Sequence, residues 1–265
     1  MTKTTKASRA VRLAAGLALL TLAGCQSGPS GSDPSPAAGA AAALLERKVE
    51  FLEGLAAERR VAARVVADLV SALPGRVRLT EISYGGVEVA AKGVAPTNNL
   101  LADYLARLAG SAALSDVMLR SSSQKSARSG DYQEFALQAV VRPPDGGAGP
   151  DSGETDARLA ALERLVGGRG GPGEILRELQ MLALGSGLQM TRFAPGNELA
   201  GEFYAEWPVT IEVAGSLDGV GRYLDDLAGL SRLWVVEKLS LKAASPQDAR
   251  SPLRATVSAR AYLPR

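Results

Sequence analysis

The sequence predicts an α+β chain of two tandem modules, each reading helix-strand-strand-helix-strand-strand, behind a flexible lipidated N-terminus. Three observations lead there. Between Phe203 and Leu230, Val209, Ile211 and Val213 alternate with Thr210, Glu212 and Ala214, the period of a strand with one buried face. The period then changes: Val220, Tyr223, Leu224, Leu227 and Leu230 recur at three and four residues, placing Asp218, Arg222, Asp225 and Asp226 toward water. Ser216 is the expected N-cap of this helix, with Asp218 adding negative charge in its first turn. The second observation is recurrence. Tyr104–Gly110 reads YLARLAG and Tyr223–Gly229 reads YLDDLAG, and each follows an alternating strand that ends at a glycine, Gly93 or Gly215. The third is an N-terminal segment unlike the rest in composition.

Residues 1–24 carry Lys3, Lys6, Arg9 and Arg12 and then an apolar run from Leu13 to Ala23, closing on Leu22-Ala23-Gly24-Cys25. This resembles a bacterial lipoprotein signal peptide with its lipobox, which implies palmitate-type acylation of Cys25. The run is shorter than the roughly 20 residues that span a bilayer. Cys25 is the only cysteine, so no intrachain disulfide and no cysteine-built metal site can form. Residues 25–43 read as a flexible tether, rich in Gly, Ser, Pro and Asp up to Gly39. The whole chain has 30 basic and 28 acidic side chains, and the signal holds four of the basic ones and none of the acidic. Its removal leaves 26 against 28, a formal charge of −2, so no nucleic-acid partner is implied.

The first module is expected over 44–142. One long helix runs from Leu44 to Leu73, with Leu45, Val49, Leu52, Ala56, Ala62, Val66, Leu69 and Leu73 near one stripe. Pro74-Gly75 ends it. Its charged first half is expected to project, and the interruption of the stripe at Arg59 favours a short pairing segment over a long coiled coil. Arg76–Tyr84 and Val87–Ala95 form a hairpin about Gly85-Gly86, with a bulge expected near Thr80 or Glu81 where the alternation loses phase. A helix from Asn98 to Gly110 follows, then strands Val117–Ser123 and Tyr132–Val141 around a polar loop, Gln124–Asp131. Residues 143–155 are a linker by composition. The second module, 156–265, repeats the order: a helix on Leu159, Leu162 and Leu165, a glycine-rich break at Gly167–Gly173, a helix on Ile175, Leu176, Leu179 and Leu182, then strands from Leu188, through the opening unit, to Leu233–Ala243 and Leu253–Tyr262.

The chain contains no histidine, which removes Ser-His-Asp and Cys-His nucleophiles, imidazole zinc sites and histidine bases. The Gly167–Gly173 cluster lies between helices and lacks Gly-Lys-Ser/Thr, so it reads as a hinge rather than a phosphate loop. Asp225 and Asp226 point about 100° apart on a water-facing surface and form no acid-base pair. Glu202 and Glu206 show no partner in the sequence, and Trp207 and Trp234 are assigned to the core or to contact between modules. No catalytic, cofactor-binding or metal residue is assigned. Cys25 is the one site residue.

Ile211–Ser216, preceded by Phe203–Pro208 and followed by Gly221–Leu224 and Leu227–Leu233, is similar to PilO of type IV pilus machines, as is Leu184–Phe193. Leu79–Tyr84, Gly93–Ala95 and the helix opening at Asn98-Asn99 resemble the periplasmic part of PilN. The resemblance implies ferredoxin-like modules preceded by coiled-coil helices. It further implies a non-enzymatic periplasmic scaffold of a type IV pilus or related type II secretion machine, membrane-held through its lipid anchor and acting on other machine proteins. PilN and PilO are ordinarily separate chains with their own membrane helices, and PilN engages a cytoplasmic PilM through a segment this sequence lacks. Here both modules share one chain, so an intrachain pseudo-dimer through residues 44–73 and 156–184, or a homo-dimer, is expected. Gln26 after Cys25 resembles outer-membrane sorting, whereas both families work at the inner membrane, and the choice of membrane stays open. The alternative is an envelope lipoprotein whose modules bind a ligand or cell-wall polymer, and the third reading is an enzyme using Asp, Glu, Ser or Tyr alone.

Overall fold

A computed structural model describes residues 36–127, 130–143, 155–168, 170–243 and 252–265. The expected signal peptide, Cys25 and residues 144–154 of the linker lie outside the described residues. Helix α1 (Pro36–Glu58) begins inside the stretch expected to be tether. Pro36 suits the first helical turn, and Ala37–Ala43, interrupted only by Gly39, has the strongest intrinsic helix preference of any composition. The single helix expected over 44–73 is two helices, because the chain turns at Arg59-Arg60 before α2 (Val61–Ser71). Nor does the charged half of α1 project. Val49, Leu52 and Leu55 are buried, and only residues 39–44 are exposed without interruption.

Strands β1 (Arg78–Tyr84) and β2 (Glu88–Ala95) pair antiparallel, and Gly86 takes the positive φ of 84° that their turn requires. Leu79 and Glu81 pair with Gly93 and Lys92, so Thr80 is the bulged residue, as the lost phase predicted. A side chain on Gly93 would meet the Arg78 carbonyl at 2.4 Å and the Phe135 ring at 2.6 Å, so the strand stays bare there for the ring to lie across it. Helix α3 (Asn98–Ala109) is capped by Thr97, whose hydroxyl accepts from Leu100 N–H at 3.3 Å. Strands β3 (Leu114–Ala127) and β4 (Gly130–Val141) are longer than the sequence suggested. The stretch read as a polar loop is ladder, with Gln124, Lys125 and Ser126 opposite Gln133, Tyr132 and Asp131. Residues 122–126 are exposed, so the apolar alternation that reveals a half-buried strand is absent.

After α4 (Thr155–Val166) and α5 (Pro172–Gly185) come β5 (Gln189–Pro195), the short β6 (Leu199–Ala200) and β7 (Ala205–Gly215). Helix α6 (Leu217–Gly229) is capped as expected, Ser216 Oγ accepting from Gly219 N–H at 3.0 Å. Strands β8 (Trp234–Ala243) and β9 (Leu253–Leu263) complete the chain.

The strands form one nine-stranded sheet in the order β3-β4-β2-β1-β8-β9-β7-β5, with β6 beside β7. Setting β6 aside, each half has the same internal order: third, fourth, second, first. The halves are continuous because β1 pairs antiparallel with β8, Glu81–Tyr84 opposite Lys242–Leu239. One buried cluster runs through both halves, joining Val65, Leu69 and Tyr104 to Leu179, Tyr223 and Trp234. Helices α2, α3, α5 and α6 supply it from one face of the sheet. The opposite face carries the alternate strand residues and is largely polar, the usual partition of an antiparallel sheet covered on one side. A smaller cluster on that face, built on Leu52, Leu55, Val166, Val235 and Tyr262, holds α1 and α4.

Candidate protein interface

Two contacts join the halves, a sheet seam with helices packed above it and a pair of helices on the other face. The first is the β1–β8 seam. Its polar side is organised by Glu81, which the bulge at Thr80 sets between Lys92 of β2 at 2.8 Å and Lys242 of β8 at 3.6 Å. The hydrogen bond from Lys92 is the main reason the Glu81 carboxyl sits below its usual range, and the charge of Lys242 adds to it. On the core side, Tyr84 lies opposite Leu239 and Ile82 opposite Leu241, all four buried. Burial pushes the Tyr84 phenol up to about 12, so it is a neutral packing group at ordinary pH.

Above the seam α2 packs on α6. Val66 is fully buried, and its Cγ1 lies 3.8 Å from where a Gly221 side chain would begin, the spacing of ordinary packing contact. Arg59 explains the break between α1 and α2. Its guanidinium Nη2 donates to the Leu230 carbonyl at the C-terminus of α6, and burial lowers its pKa from the usual arginine value. A cation on the carbonyl end of a helix is also favoured by the helix dipole.

The second contact is an antiparallel helix pair. Lys48 of α1 binds Glu163 of α4 at 2.5 Å, and Glu53 of α1 accepts from Arg158 of α4, so residue numbers rise on one helix as they fall on the other. Phe51 packs on Phe203 and Tyr262, with ring centroids 5.6 and 6.0 Å apart, and Lys48 Nζ sits 5.3 Å over the Tyr204 ring. Of the helices expected to meet, α1 and α4 do so, whereas α2 packs on α6 rather than on a leading helix of the second half, and the sheet seam between β1 and β8 was not anticipated.

The glycine-rich break is not a free hinge. Gly167 has φ of 68°, a side chain there would meet the Ser231 carbonyl at 2.8 Å, and Arg232 Nη1 donates to the Gly168 carbonyl at 2.9 Å. The loop is docked on the residues that follow α6. Glu202 and Glu206 have partners the sequence did not reveal: Arg47 of α1 for the first, and Arg260 of β9 at 2.6 Å for the second. These partners lie far away in the chain, and no local pattern announces them. Arg260 also reaches Glu237 at 2.5 Å. Asp225 and Asp226 are exposed on α6, and Trp207 and Trp234 are buried, Trp207 donating to the Gly196 carbonyl at 3.0 Å. Among the described residues no cluster of acidic, histidine or cysteine side chains is arranged for a metal, and no helix is long and apolar enough to cross a membrane.

Residues 64–141 match the family model described as fimbrial assembly protein (PilN), and residues 173–263 match that of the type IVa pilus alignment subcomplex PilO C-terminal domain. The first match runs from α2 to β4 and the second from α5 to β9, the two halves with the shared strand order; α1 and α4 lie outside both. The chain is 28% identical over 103 residues to the type IV pilus inner membrane component PilO of Pseudomonas aeruginosa, 39% of this chain and 49% of that protein. It therefore spans about half the length of this curated relative. Two solved structures are similar. The type 4 fimbrial biogenesis protein PilO from Pseudomonas aeruginosa is 23% identical, covering 44% of this chain and 91% of that one with a TM-score of 0.34. The core region of PilO from the same organism is 25% identical, covering 37% and 95% with a TM-score of 0.32. The two resemblances expected from the sequence are thus found in one chain and in the expected order, a PilN-type segment followed by a PilO-type segment.

Proposed function

We propose that this chain is a non-enzymatic scaffold of the type IV pilus alignment subcomplex, or of a related type II secretion machine, that works through protein-protein contacts in the periplasm. Its modules at 44–142 and 156–265 are each ferredoxin-like, and acylated Cys25 holds them at a membrane. The observation that carries this reading is the seam: a PilN-type and a PilO-type segment share one sheet through β1 and β8, with α2 on α6 above it. The repeated third-fourth-second-first strand order supports one fold for both modules. A rigid joint built from one copy of each type suits a part whose task is to hold other components in register.

Mild crosslinking in the native cell, followed by purification of this chain, is the test. Co-purified pilus or secretion components are the expected result. A glycan or small molecule in their place would overturn the scaffold reading in favour of an envelope-binding lipoprotein, and turnover of a substrate would point to an enzyme. Cys25→Ser is expected to release the folded body from membranes or leave the signal uncleaved. Palmitate labelling that persists in that variant would exclude Cys25 as the acylated residue.

A further inference from the structure

The seam joins unlike surfaces. From the first half it takes β1 and the preceding helix α2; from the second it takes β8 and the preceding helix α6. Because both halves have the same strand order, each kind of surface occurs once more in the molecule. The counterpart of β1 with α2 is β5 with α5, and the counterpart of β8 with α6 is β3 with α3. These are the two ends of the sheet, where β5 and β3 each have a neighbouring strand on one side only among the described residues.

The repeat can be followed residue by residue, apart from one bulge, Arg120 between Leu119 and Ser121, that β8 lacks. Thr191 is skipped between Met190 and Arg192 just as Thr80 is skipped between Leu79 and Glu81, which places Phe193 at the position of Ile82 and Ala194 at that of Ser83. Counted from the C-caps Ala72 and Ser186, the buried Val61, Val65 and Leu69 of α2 match the buried Ile175, Leu179 and Ala183 of α5. The same count carries Ala67 and Val70, which line the groove between α2 and α6, onto Met181 and Leu184. Those two side chains are 65% and 68% exposed. At the other end Leu119 faces Leu137 of β4 as Leu239 faces Val257 of β9, and Leu119 and its neighbour Met118 are 42% and 46% exposed. Three of the seven large apolar side chains that the described residues expose, Met181, Leu184 and Leu119, thus lie on the two surfaces that repeat the seam. On α3 the counterpart of Gly221 is Ala102, exposed and nearly as small.

We propose that the two ends of the sheet dock on each other between copies of this chain, β5 of one copy pairing antiparallel with β3 of the next and α5 packing on its α3. The repeat sets the register, with Arg192, Phe193 and Ala194 opposite Ser123, Ser122 and Ser121, as Glu81, Ile82 and Ser83 lie opposite Lys242, Leu241 and Ser240. Pro195 stands where Tyr84 does and has no N–H to give, so the ladder between copies is shorter than the seam and the contact weaker. Since the two surfaces differ, the association is head-to-tail and does not stop at a pair.

Cysteine crosslinking of the full-length chain in detergent tests it, with the parent chain, whose one cysteine is Cys25, as the baseline. Ser83→Cys with Ser240→Cys lies across the seam and is expected to close within one chain under mild oxidation. Ser121→Cys with Ala194→Cys is expected to give a reducible ladder of dimers, trimers and larger species, each single variant adding nothing over the parent. Met181→Glu added to the second pair is expected to remove the ladder, while in the seam pair it leaves closure unchanged. Four results would overturn the proposal: a closed seam with monomeric end variants, crosslinked dimers from either single variant, capture of a protein of different mass instead of this chain, or a seam pair that does not close.

Discussion

Val66→Ala separates a shared core from two independent ones. Val66 is fully buried on α2 between its own half and Gly221 of α6. Losing two buried methyl groups removes about 1.6 kcal/mol at roughly 0.8 kcal/mol each, and incomplete closure of the cavity raises the total to about 2–3 kcal/mol. Both tryptophans of the chain, Trp207 and Trp234, lie in the other half, so their fluorescence reports on residues the substitution does not alter. In urea, with a denaturant slope on the order of 3 kcal/mol per molar, the fluorescence midpoint is expected to fall by roughly 0.7–1 M, together with the far-ultraviolet circular dichroism. A tryptophan transition that stays in place while the dichroism shifts would show that the halves unfold separately, and the continuity of the core would carry no energy.

Three further outcomes follow from the same geometry. Proteolytic cutting within residues 144–154 is expected to leave the two halves eluting together from a sizing column until denaturant is added; halves that part in buffer would refute a seam held by β1 and β8. Gly167→Ala is expected to cost about 1–2 kcal/mol, because a left-handed backbone is disfavoured for a side-chain-bearing residue and the Ser231 carbonyl is 2.8 Å away, whereas Gly168→Ala, with open space around it, leaves the melting temperature nearly unchanged. Burial raises the phenols of Tyr84 and Tyr262 to about 12 and pushes those of Tyr104 and Tyr223 up as well, against roughly 10 in the unfolded chain. The folded state therefore binds more protons in that window: stability is full below about pH 10 and falls as pH rises toward 12, checked by urea midpoints against tyrosinate absorbance. Ionisation of Tyr84, Tyr104, Tyr223 or Tyr262 near pH 10 in a chain that stays folded would contradict the burial.

The sequence announces what is local. Alternation and its change of period located β7 and α6, the phase slip located the bulge at Thr80, and Ser216 announced its own capping hydrogen bond. The repeat of YLARLAG in YLDDLAG pointed to two halves of like order. Long-range contacts were not legible. Nothing near Arg59 shows that its guanidinium will find the Leu230 carbonyl, so the break between α1 and α2 read as a gap in a stripe. The hairpin of β3 and β4 extends where Gln124, Lys125 and Ser126 are solvated, and a strand wet on both faces has no apolar period. The seam was hidden for another reason: Ile82 and Leu241 look like ordinary core residues of their own modules, and a backbone edge leaves no mark in side-chain pattern.

The bridge at Glu81 has an evolutionary consequence. In an interface built on a two-fold axis every substitution appears twice, once from each side, so a favourable or harmful change is doubled and both surfaces must drift together. The β1–β8 joint has no such axis. Glu81 meets Lys92 and Lys242 once per molecule, while at the corresponding place in the second half Arg192 meets Glu212 at 3.6 Å, with the signs of the charges reversed. Each half can thus vary its polarity at this position independently of the other, and a joint between repeated halves can be particular to one pair of neighbours.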